Sequence, residues 1–175
     1  MPHHKAIFLD RDGVLNHAII KNGKPTPPAT LTQLSIADDV LPALQFAKSL
    51  GYLLIGATNQ PDVARGTTQR ELVETINQKL MQQLPLHDIR VCYHDDQDNC
   101  ACRKPSPGLL LQAAKDYDLD LQQCIMIGDR WKDIEAGKRA GCQTVWLDRG
   151  YQEQKPHAPD FTATTLMEAI EWIKL

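Results

Sequence analysis

Short apolar segments alternate with amphipathic stretches along this chain, and that alternation constrains the fold more than any other feature. Five segments are typical of buried strands: AIFLD, YLLIGAT, DIRVCY, CIMIGD and TVWLD. Helical patterns of about 10–15 residues separate them, which indicates βαβ units. Because such units place helices on both faces of a parallel sheet, we predict a three-layer α/β fold with a sheet of about five or six strands.

Capping residues set the predicted helix ends. Helices are expected at residues 40–51, 68–84, 106–117, 133–140 and 165–173. Asp38 or Asp39 lies near the start of the first, and Gly51 and Gly141 are typical helix stops. Three pairs mark other starts, namely Thr68–Glu71 and Thr165–Glu168 as capping boxes and Ser106–Pro107 as an N-cap with a first-turn proline.

Composition narrows the class of protein. The 175 residues carry 42% apolar and 23% charged side chains, as in ordinary globular proteins, and we expect one domain over residues 1–175. The net charge of −3 gives no basic footprint for nucleic acid. No apolar run approaches the roughly 18–20 residues that span a bilayer, and the first ten residues lack a signal-peptide core. We therefore expect a cytoplasmic protein that binds neither nucleic acid nor membrane.

Polar residues follow the predicted strands, where parallel sheets bind their ligands. Asp10 and Asp12 follow the first strand and Asp129 follows the fourth, so Asp10 and Asp129 could form an oxygen-rich Mg²⁺ site. Thr58 ends the second strand and could hold a phosphoryl oxygen. Taken singly, each has an ordinary explanation as a turn or cap residue, as does Asp133 at a helix start. Lys104 alone would be a solvated surface residue.

A cysteine-rich segment lies between the third strand and the next helix. Cys92, His94, Cys100 and Cys102 offer three thiolates and an imidazole, a set suited to tetrahedral Zn²⁺ in a loop over residues 92–104. Four protein ligands leave no open position, so such a site would be structural. A disulfide is less favoured because a C-x-C bridge is strained. A redox pair is less favoured because such pairs usually have the spacing C-x-x-C, which is absent. A chance cluster of cysteines is the remaining alternative. Cys124 and Cys142 are expected to pack as small apolar residues.

These motifs together resemble a known family. D-x-D-G in FLDRDGVLN, the strand-end Thr of TNQ, Lys-Pro, and G-D-x(3)-D occur in this order, each after a predicted strand. They resemble the haloacid dehalogenase (HAD) superfamily of phosphohydrolases across nearly the whole chain. With C-x-H-x(5)-C-x-C-R-K-P added, the chain is similar to the zinc-bearing subgroup. The resemblance implies a Rossmann-like α/β core, a catalytic Mg²⁺ and a structural Zn²⁺.

The resemblance also implies a role for each motif. Asp10 would be the nucleophile that forms an aspartyl-phosphate. Asp12 would be the general acid and base, and it would contact Mg²⁺ only through its backbone carbonyl. Asp129 would complete the Mg²⁺ site, with Asp133 ranked below it as a second acidic position.

Phosphoryl binding is the other implied function. Thr58 and the backbone at Asn59 would hold the phosphoryl group, and Lys104 would offset its charge and that of Asp10. Arg103 would bind substrate, and the zinc loop would deliver Arg103 and Lys104 together. Arg65, and Lys21 or Lys24, could meet a second phosphate, although solvated charge explains each equally well.

Substrate choice is the least constrained expectation. Forty-five residues separate Asp12 from Thr58, and forty-five separate Thr58 from Lys104, which leaves no room for an inserted cap domain. The resemblance implies a small phosphorylated metabolite and a monomer. The Ala-Arg-Gly ending of TNQPDVARG resembles the heptose enzymes more than the histidinol-phosphate group. The resemblance therefore implies removal of the C7 phosphate from D-glycero-D-manno-heptose 1,7-bisphosphate, with hydrolysis of histidinol phosphate as the alternative. A non-catalytic binding domain and a phosphotransferase are the alternatives, and an open, water-accessible site argues against the latter.

Overall fold

A six-stranded parallel sheet forms the centre of the molecule. The computed structural model describes residues 3–174, and its strands in chain order are β1 (Ala6–Leu9), β2 (Ile19–Lys21), β3 (Lys24–Thr26), β4 (Leu53–Asn59), β5 (Asp88–Cys92), β6 (Ile125–Gly128), β7 (Gln143–Leu147) and β8 (Phe161–Ala163). The sheet order is β5-β4-β1-β6-β7-β8, and every neighbouring pair is parallel. The predicted fold class is confirmed.

Helices cover both faces of this sheet. They are α1 (Val40–Ser49), α2 (Arg70–Gln83), α3 (Gly108–Tyr117), α4 (Trp131–Ala140) and α5 (Leu166–Ile173). Alternate residues of β1 point to opposite faces, as the two-residue strand period requires. Ile7 and Leu9 pack with α1, α2 and α5, whereas Ala6 and Phe8 pack with α3. The core is therefore two apolar layers, one on each side of the sheet.

Three predicted helix starts are wrong, and one of them is that of α4, which begins at Trp131 and places Asp133 within its first turn. Helix α2 begins at Arg70 without a side-chain cap, because the backbone N–H groups of Thr67 and Thr68 both donate to the carbonyl of Asp62. Those bonds fold the chain into a turn, so Thr68 cannot occupy the cap position. Helix α3 begins at Gly108, with Pro107 in the cap position, one residue later than expected.

The cap at α5 is confirmed in part, because the Thr165 hydroxyl accepts from the N–H of Glu168 at 3.1 Å. The Glu168 carboxylate accepts instead from the N–H of Thr164. Asp39 makes no cap bond to its own helix and accepts from the N–H groups of Leu166 and Met167. It therefore joins the start of α1 to that of α5.

A small antiparallel hairpin, β2–β3, lies outside the main sheet. Asn22 and Gly23 both have positive φ, 52° and 74°, as a two-residue hairpin turn of mirror-image type requires. The Asn-Gly pair is typical of such a turn. The hairpin was not predicted because strands of three residues are too short to show a clear apolar periodicity. Pro25 and Thr26 of this hairpin face the site described below. Among residues 3–174, no helix combines the length and apolar character needed to cross a membrane.

Candidate active site

The carboxyl ends of β1, β4 and β6 meet at one edge of the sheet and form the floor of a cleft of about 340 Å³. The cleft brings together most of the residues predicted from sequence. It is lined by Asp10, Asp12, Thr58, Asn59, Arg65, Arg103, Lys104 and Asp133, and also by Gln60, Asp62, Asp96, Arg130, Lys132 and the hairpin residues Pro25 to Pro27. Lys21 and Lys24 do not line it, and neither does Asp129, which is buried close to Asp10.

Lys104 is the buried cation of this floor, with only 2% of its surface exposed. Its ammonium donates to Asp10 Oδ1 at 2.8 Å, to Asp133 Oδ1 at 2.6 Å and to the carbonyl of Ala57 at 2.6 Å, which uses all three N–H groups. Burial alone would lower the pKa of Lys104, but the carboxylates of Asp10 and Asp133 raise it above its ordinary value. Lys104 therefore stays charged and offsets two carboxylates.

Asp129 is a second buried carboxylate close to Asp10. Its Oδ2 accepts a hydrogen bond of 2.7 Å from the hydroxyl of Tyr151, while its Oδ1 is buried and has no partner. Burial, together with the carboxylates of Asp10 and Asp133, raises the pKa of Asp129 well above its ordinary value. Burial and Asp133 likewise raise the pKa of Asp10, although Lys104 opposes them.

Oxygen atoms of Asp10, Asp129 and Asp133 lie within 4.8 Å of one another. A buried carboxylate oxygen without a donor, facing a second carboxylate, is suited to a hard divalent cation such as Mg²⁺. The residues therefore fit such an ion. Asp133 is the least available of the three, because Lys104 binds its Oδ1 and the N–H of Arg130 binds its Oδ2. Gly128 permits this close packing, since a Cβ there would lie 2.1 Å from the Cβ of Asp133.

Asp12 is held by three side chains that the sequence analysis did not assign. Arg11 and Asn16 donate to its Oδ1 at 3.2 and 3.0 Å, and Gln60 donates to its Oδ2 at 2.8 Å. Arg11 is fully buried and is itself bound by Asn77. Arg11, Asn16 and Gln60 lie inside the motifs DRDGVLN and TNQ, so their proximity to Asp12 could have been predicted from the sequence.

Thr58 and Asn59 end strand β4. The Thr58 hydroxyl, 1% exposed as a residue, accepts from Gln60 at 3.0 Å. The Asn59 side-chain amide both donates to the carbonyl of Lys104 and accepts from its N–H, each at 3.0 Å. Asn59 thereby fixes the backbone of Lys104 across 45 residues of chain.

The four predicted zinc ligands also come together at the end of β5. Ligand atoms of Cys92, His94, Cys100 and Cys102 lie within 4.8 Å of one another, and the three cysteines form no disulfide. The Sγ atom of Cys100 lies 3.7 Å from that of Cys92 and 3.6 Å from that of Cys102. Tetrahedral Zn–S bonds of about 2.3 Å place sulfurs about 3.8 Å apart, so these two separations fit zinc.

One pair in this cluster departs from that spacing. The Sγ atoms of Cys92 and Cys102 are 2.6 Å apart, and they would have to separate by roughly 1 Å to share a zinc ion. Burial raises the pKa of Cys92. Burial also raises the pKa of Cys100, but hydrogen bonds from the N–H of Arg103 and from the neighbouring thiols and imidazole outweigh it and lower that pKa to about 7. The donor set as a whole fits a zinc ion. Cys124 and Cys142 are buried in or beside the apolar layer, as expected.

Besides Lys104, four cations line the cleft: Arg65, Arg103, Arg130 and Lys132. Arg103 donates to Asp96 at 2.7 Å, and its buried Nη1 has no partner. Arg65 binds Asp95 through two bonds of 2.7 Å, so the predicted binding residue already has an anionic partner. The arrangement can hold an anion at the floor, with further positive charge a short distance above it.

Comparison with known proteins identifies a family match and relatives of this chain. Residues 101–169 match the HAD-hydrolase-like family model. The chain is 35% identical, over 98% of both chains, to the D-glycero-β-D-manno-heptose-1,7-bisphosphate 7-phosphatase of Helicobacter pylori strain J99. It is 32% identical to the corresponding α-anomer 7-phosphatase of Photorhabdus laumondii, over 89% of this chain and 90% of that protein.

A solved structure shows the same architecture. The D,D-heptose 1,7-bisphosphate phosphatase from B. bronchiseptica, complexed with magnesium and phosphate, superposes with a TM-score of 0.81 at 27% identity and covers 98% of both chains. The fold and the site define a phosphatase of the HAD type. The chain belongs to the HAD-like phosphatase family, in which these heptose bisphosphate phosphatases are its relatives.

Proposed function

We propose that this protein is a Mg²⁺-dependent phosphatase that removes the C7 phosphate from D-glycero-D-manno-heptose 1,7-bisphosphate. The observation that carries the proposal is the setting of Asp10 in the cleft: its carboxylate lies 2.8 Å from the buried ammonium of Lys104 and within 4.8 Å of the buried carboxylate of Asp129. Similarity to the Helicobacter pylori enzyme over 98% of the chain supports the substrate.

Asp10 is the proposed nucleophile. Its bond to Lys104 fixes the carboxylate, so that one oxygen can attack phosphorus and form an aspartyl-phosphate. Asp12 would give a proton to the leaving oxygen and then take one from the attacking water. The three donors on Asp12 support this role because they hold its carboxylate in one orientation at the cleft.

Mg²⁺ would be held by Asp10, Asp129 and the backbone carbonyl of Asp12. When bound, the ion supplies positive charge that stabilises the phosphoryl oxygens. We assign Asp133 a positioning role instead, because both of its oxygens already accept hydrogen bonds. Thr58, the backbone at Asn59 and Lys104 would bind the phosphoryl group by positioning and charge, which carry most of the catalysis in such reactions.

The charge of the upper cleft favours a bisphosphate over histidinol phosphate. Arg65, Arg103, Arg130 and Lys132 would face the part of the substrate that does not react. In a heptose bisphosphate this part carries a second phosphate, which can compete for these cations with their carboxylate partners Asp95, Asp96 and Glu153, whereas the ammonium group of histidinol phosphate cannot. Arg103, with an unpartnered buried Nη1, is the strongest candidate to grip that phosphate.

The cysteine loop would hold a structural zinc ion. A polar loop of this size buries too little apolar surface to order itself, and a four-ligand metal site supplies the missing free energy. Because Asn59 fixes Lys104 independently, zinc loss should displace Arg103 more than Lys104. We also infer that residues 1–175 form one monomeric domain that works in the cytoplasm, where a reducing environment preserves metal-binding thiolates.

The activity is tested by phosphate release from both anomers of the heptose bisphosphate, with histidinol phosphate and other sugar phosphates for comparison. Asp10→Asn should abolish Mg²⁺-dependent release, and Asp38→Asn, which changes an exposed aspartate, should not. Full activity in Asp10→Asn would overturn the nucleophile. A higher kcat/KM for histidinol phosphate than for the heptose bisphosphate would overturn the proposed substrate. Phosphate release from other sugar phosphates, with none from these two compounds, would also overturn it.

Zinc is tested by metal analysis of protein purified without chelator. About one zinc per chain is expected, and Cys100→Ser should lose it, with KM rising more than kcat falls. Cys142→Ser is the matched control, since Cys142 lies outside the cluster. Zinc-free protein with unchanged stability and KM would contradict the structural site.

A further inference from the structure

The segment Arg149–Glu153, which follows β7, contacts three separate elements around the candidate active site. Arg149 Nε donates to the carbonyl of Gly13 at 3.0 Å, beside Asp12. The N–H of Gln152 donates to the carbonyl of Gly23 in the hairpin turn at 2.9 Å. Glu153 accepts two bonds from Arg130, at 2.9 and 2.7 Å. The segment thus joins the β1 loop, the hairpin and the start of α4.

Tyr151, at the centre of this segment, contacts the metal-binding carboxylate. Its hydroxyl donates to Asp129 Oδ2 at 2.7 Å, and the other oxygen, Oδ1, is buried without a partner. The indole N–H of Trp146 donates to the backbone carbonyl of Asp129 at 3.1 Å. Asp129 is therefore held at its backbone and at one carboxylate oxygen, which leaves the other oxygen for a ligand.

Gly13 shows how closely this contact is built. A Cβ at Gly13 would lie 1.9 Å from Asp129 Oδ2 and 2.8 Å from the Tyr151 hydroxyl, and Gly13 has a φ of +93°. The turn after Asp12 must therefore pass directly over the Tyr151–Asp129 hydrogen bond. A side chain on the turn would displace one of the two groups.

We propose that Tyr151 is a positioning residue for the cation: it fixes Asp129 Oδ2 so that Oδ1 is presented to Mg²⁺ beside Asp10. Hydrogen-bonded partners of metal-ligating carboxylates orient the ligand, and their removal typically lowers metal affinity about 10- to 100-fold. This role rests on the Mg²⁺ site of the proposed function. Tyr151 does not line the cleft that would hold the substrate, so its effect should fall on the metal.

The test is calorimetric titration of purified protein with MgCl₂ alone, compared with the Mg²⁺ dependence of phosphate release. Tyr151→Phe keeps the ring and removes the hydroxyl. Tyr117→Phe is the matched control, because the Tyr117 hydroxyl also donates to an aspartate, Asp88, at 3.2 Å, but at the edge strand β5. Melting temperatures in chelator verify that both variants fold.

Tyr151→Phe should weaken Mg²⁺ binding about 10- to 100-fold, while kcat at saturating Mg²⁺ and substrate KM stay within about threefold of the wild type. Tyr117→Phe should leave Mg²⁺ affinity unchanged. If Tyr151→Phe binds Mg²⁺ as tightly as the wild type, or if kcat at saturating Mg²⁺ falls with unchanged Mg²⁺ affinity, the positioning role is wrong. If the wild type itself binds no Mg²⁺, the proposed function fails instead, and this result is distinguishable in the same titration.

Discussion

Replacing Asp129 by Asn should stabilise the metal-free protein while it abolishes the response to Mg²⁺. Asp129 is 2% exposed, and its oxygens lie within 4.8 Å of those of Asp10 and Asp133. Two unit charges at that distance repel by about 3.5 kcal/mol at an effective dielectric constant of about 20. Without a cation, part of this repulsion remains, because Lys104 donates to Asp10 and Asp133 but not to Asp129.

The expected gain is smaller than the full repulsion, because the wild-type carboxyl can take up a proton instead. We expect the free energy of unfolding to rise by about 1–3 kcal/mol, which for a chain of this size is roughly 2–10 °C in melting temperature. The Asn side chain keeps the shape and can still accept from Tyr151. It also replaces the orphaned oxygen with an N–H donor that faces the carboxylates.

The pH dependence has a definite sign. Folding raises the pKa of Asp129, so this carboxyl stabilises the fold below its unfolded pKa of about 4, and that contribution is lost as the pH rises through the folded pKa. Asn does not titrate. The advantage of Asp129→Asn should therefore be greatest at neutral and alkaline pH and should vanish toward pH 4.

The measurement is thermal unfolding in EDTA and in excess MgCl₂ at several pH values, with Asp38→Asn as the control at an exposed aspartate. Excess Mg²⁺ should stabilise the wild type by mass action, by about 2.7 kcal/mol in free energy of unfolding at 100 times Kd, and so raise its melting temperature. It should leave the melting temperature of Asp129→Asn unchanged. A melting temperature of Asp129→Asn at or below that of the wild type in EDTA at pH 8 would refute the electrostatic reasoning.

Three further substitutions test other parts of the structure. Lys104→Met should lower the metal-free free energy of unfolding by about 3–5 kcal/mol, since it leaves two buried carboxylates unpaired; urea unfolding should show the deficit shrink in acid, and an unchanged midpoint would contradict the ion pair. Thr144→Val removes a buried hydroxyl that donates to Asp160 at 3.0 Å and should cost about 1–3 kcal/mol with no change in kcat, so a loss of activity in folded protein would be inconsistent. Gly13→Ala should weaken Mg²⁺ binding because its Cβ overlaps Asp129; calorimetry showing wild-type affinity would rule out the overlap.

The central sheet could be predicted because its strands carry strong local signals. Most predicted strands were continuous apolar runs, and β1, β4, β5, β6 and β7 all begin and end within one residue of the predicted bounds. Strand β8 was missed: it has three residues, and it joins the sheet through pairing with β7. Its position depends on contacts between distant residues, including the Asp160 carboxylate that binds Thr144.

The sequence predicted which residues meet at the cleft, but it did not predict the hydrogen bonds that hold them. Motif order brought Asp10, Thr58, Lys104 and Asp129 to one edge, because the carboxyl ends of parallel strands share that edge. The partners of these residues come from unrelated places in the chain. Tyr151 is an example: it follows β7 in a loop with no motif, and only the fold shows that its hydroxyl reaches Asp129.

The amide of Asn59 has a consequence for how such a chain can be altered. Since β4 holds the backbone of Lys104 from outside the cysteine loop, the segment from Asp95 to Asn99 can be lengthened, shortened or exchanged without moving that lysine. Loop grafting at these five positions is therefore a route to enzymes with altered selectivity and an unchanged reaction centre. In natural lineages, the same separation would let the tip drift quickly while the buried floor of the cleft stayed constant.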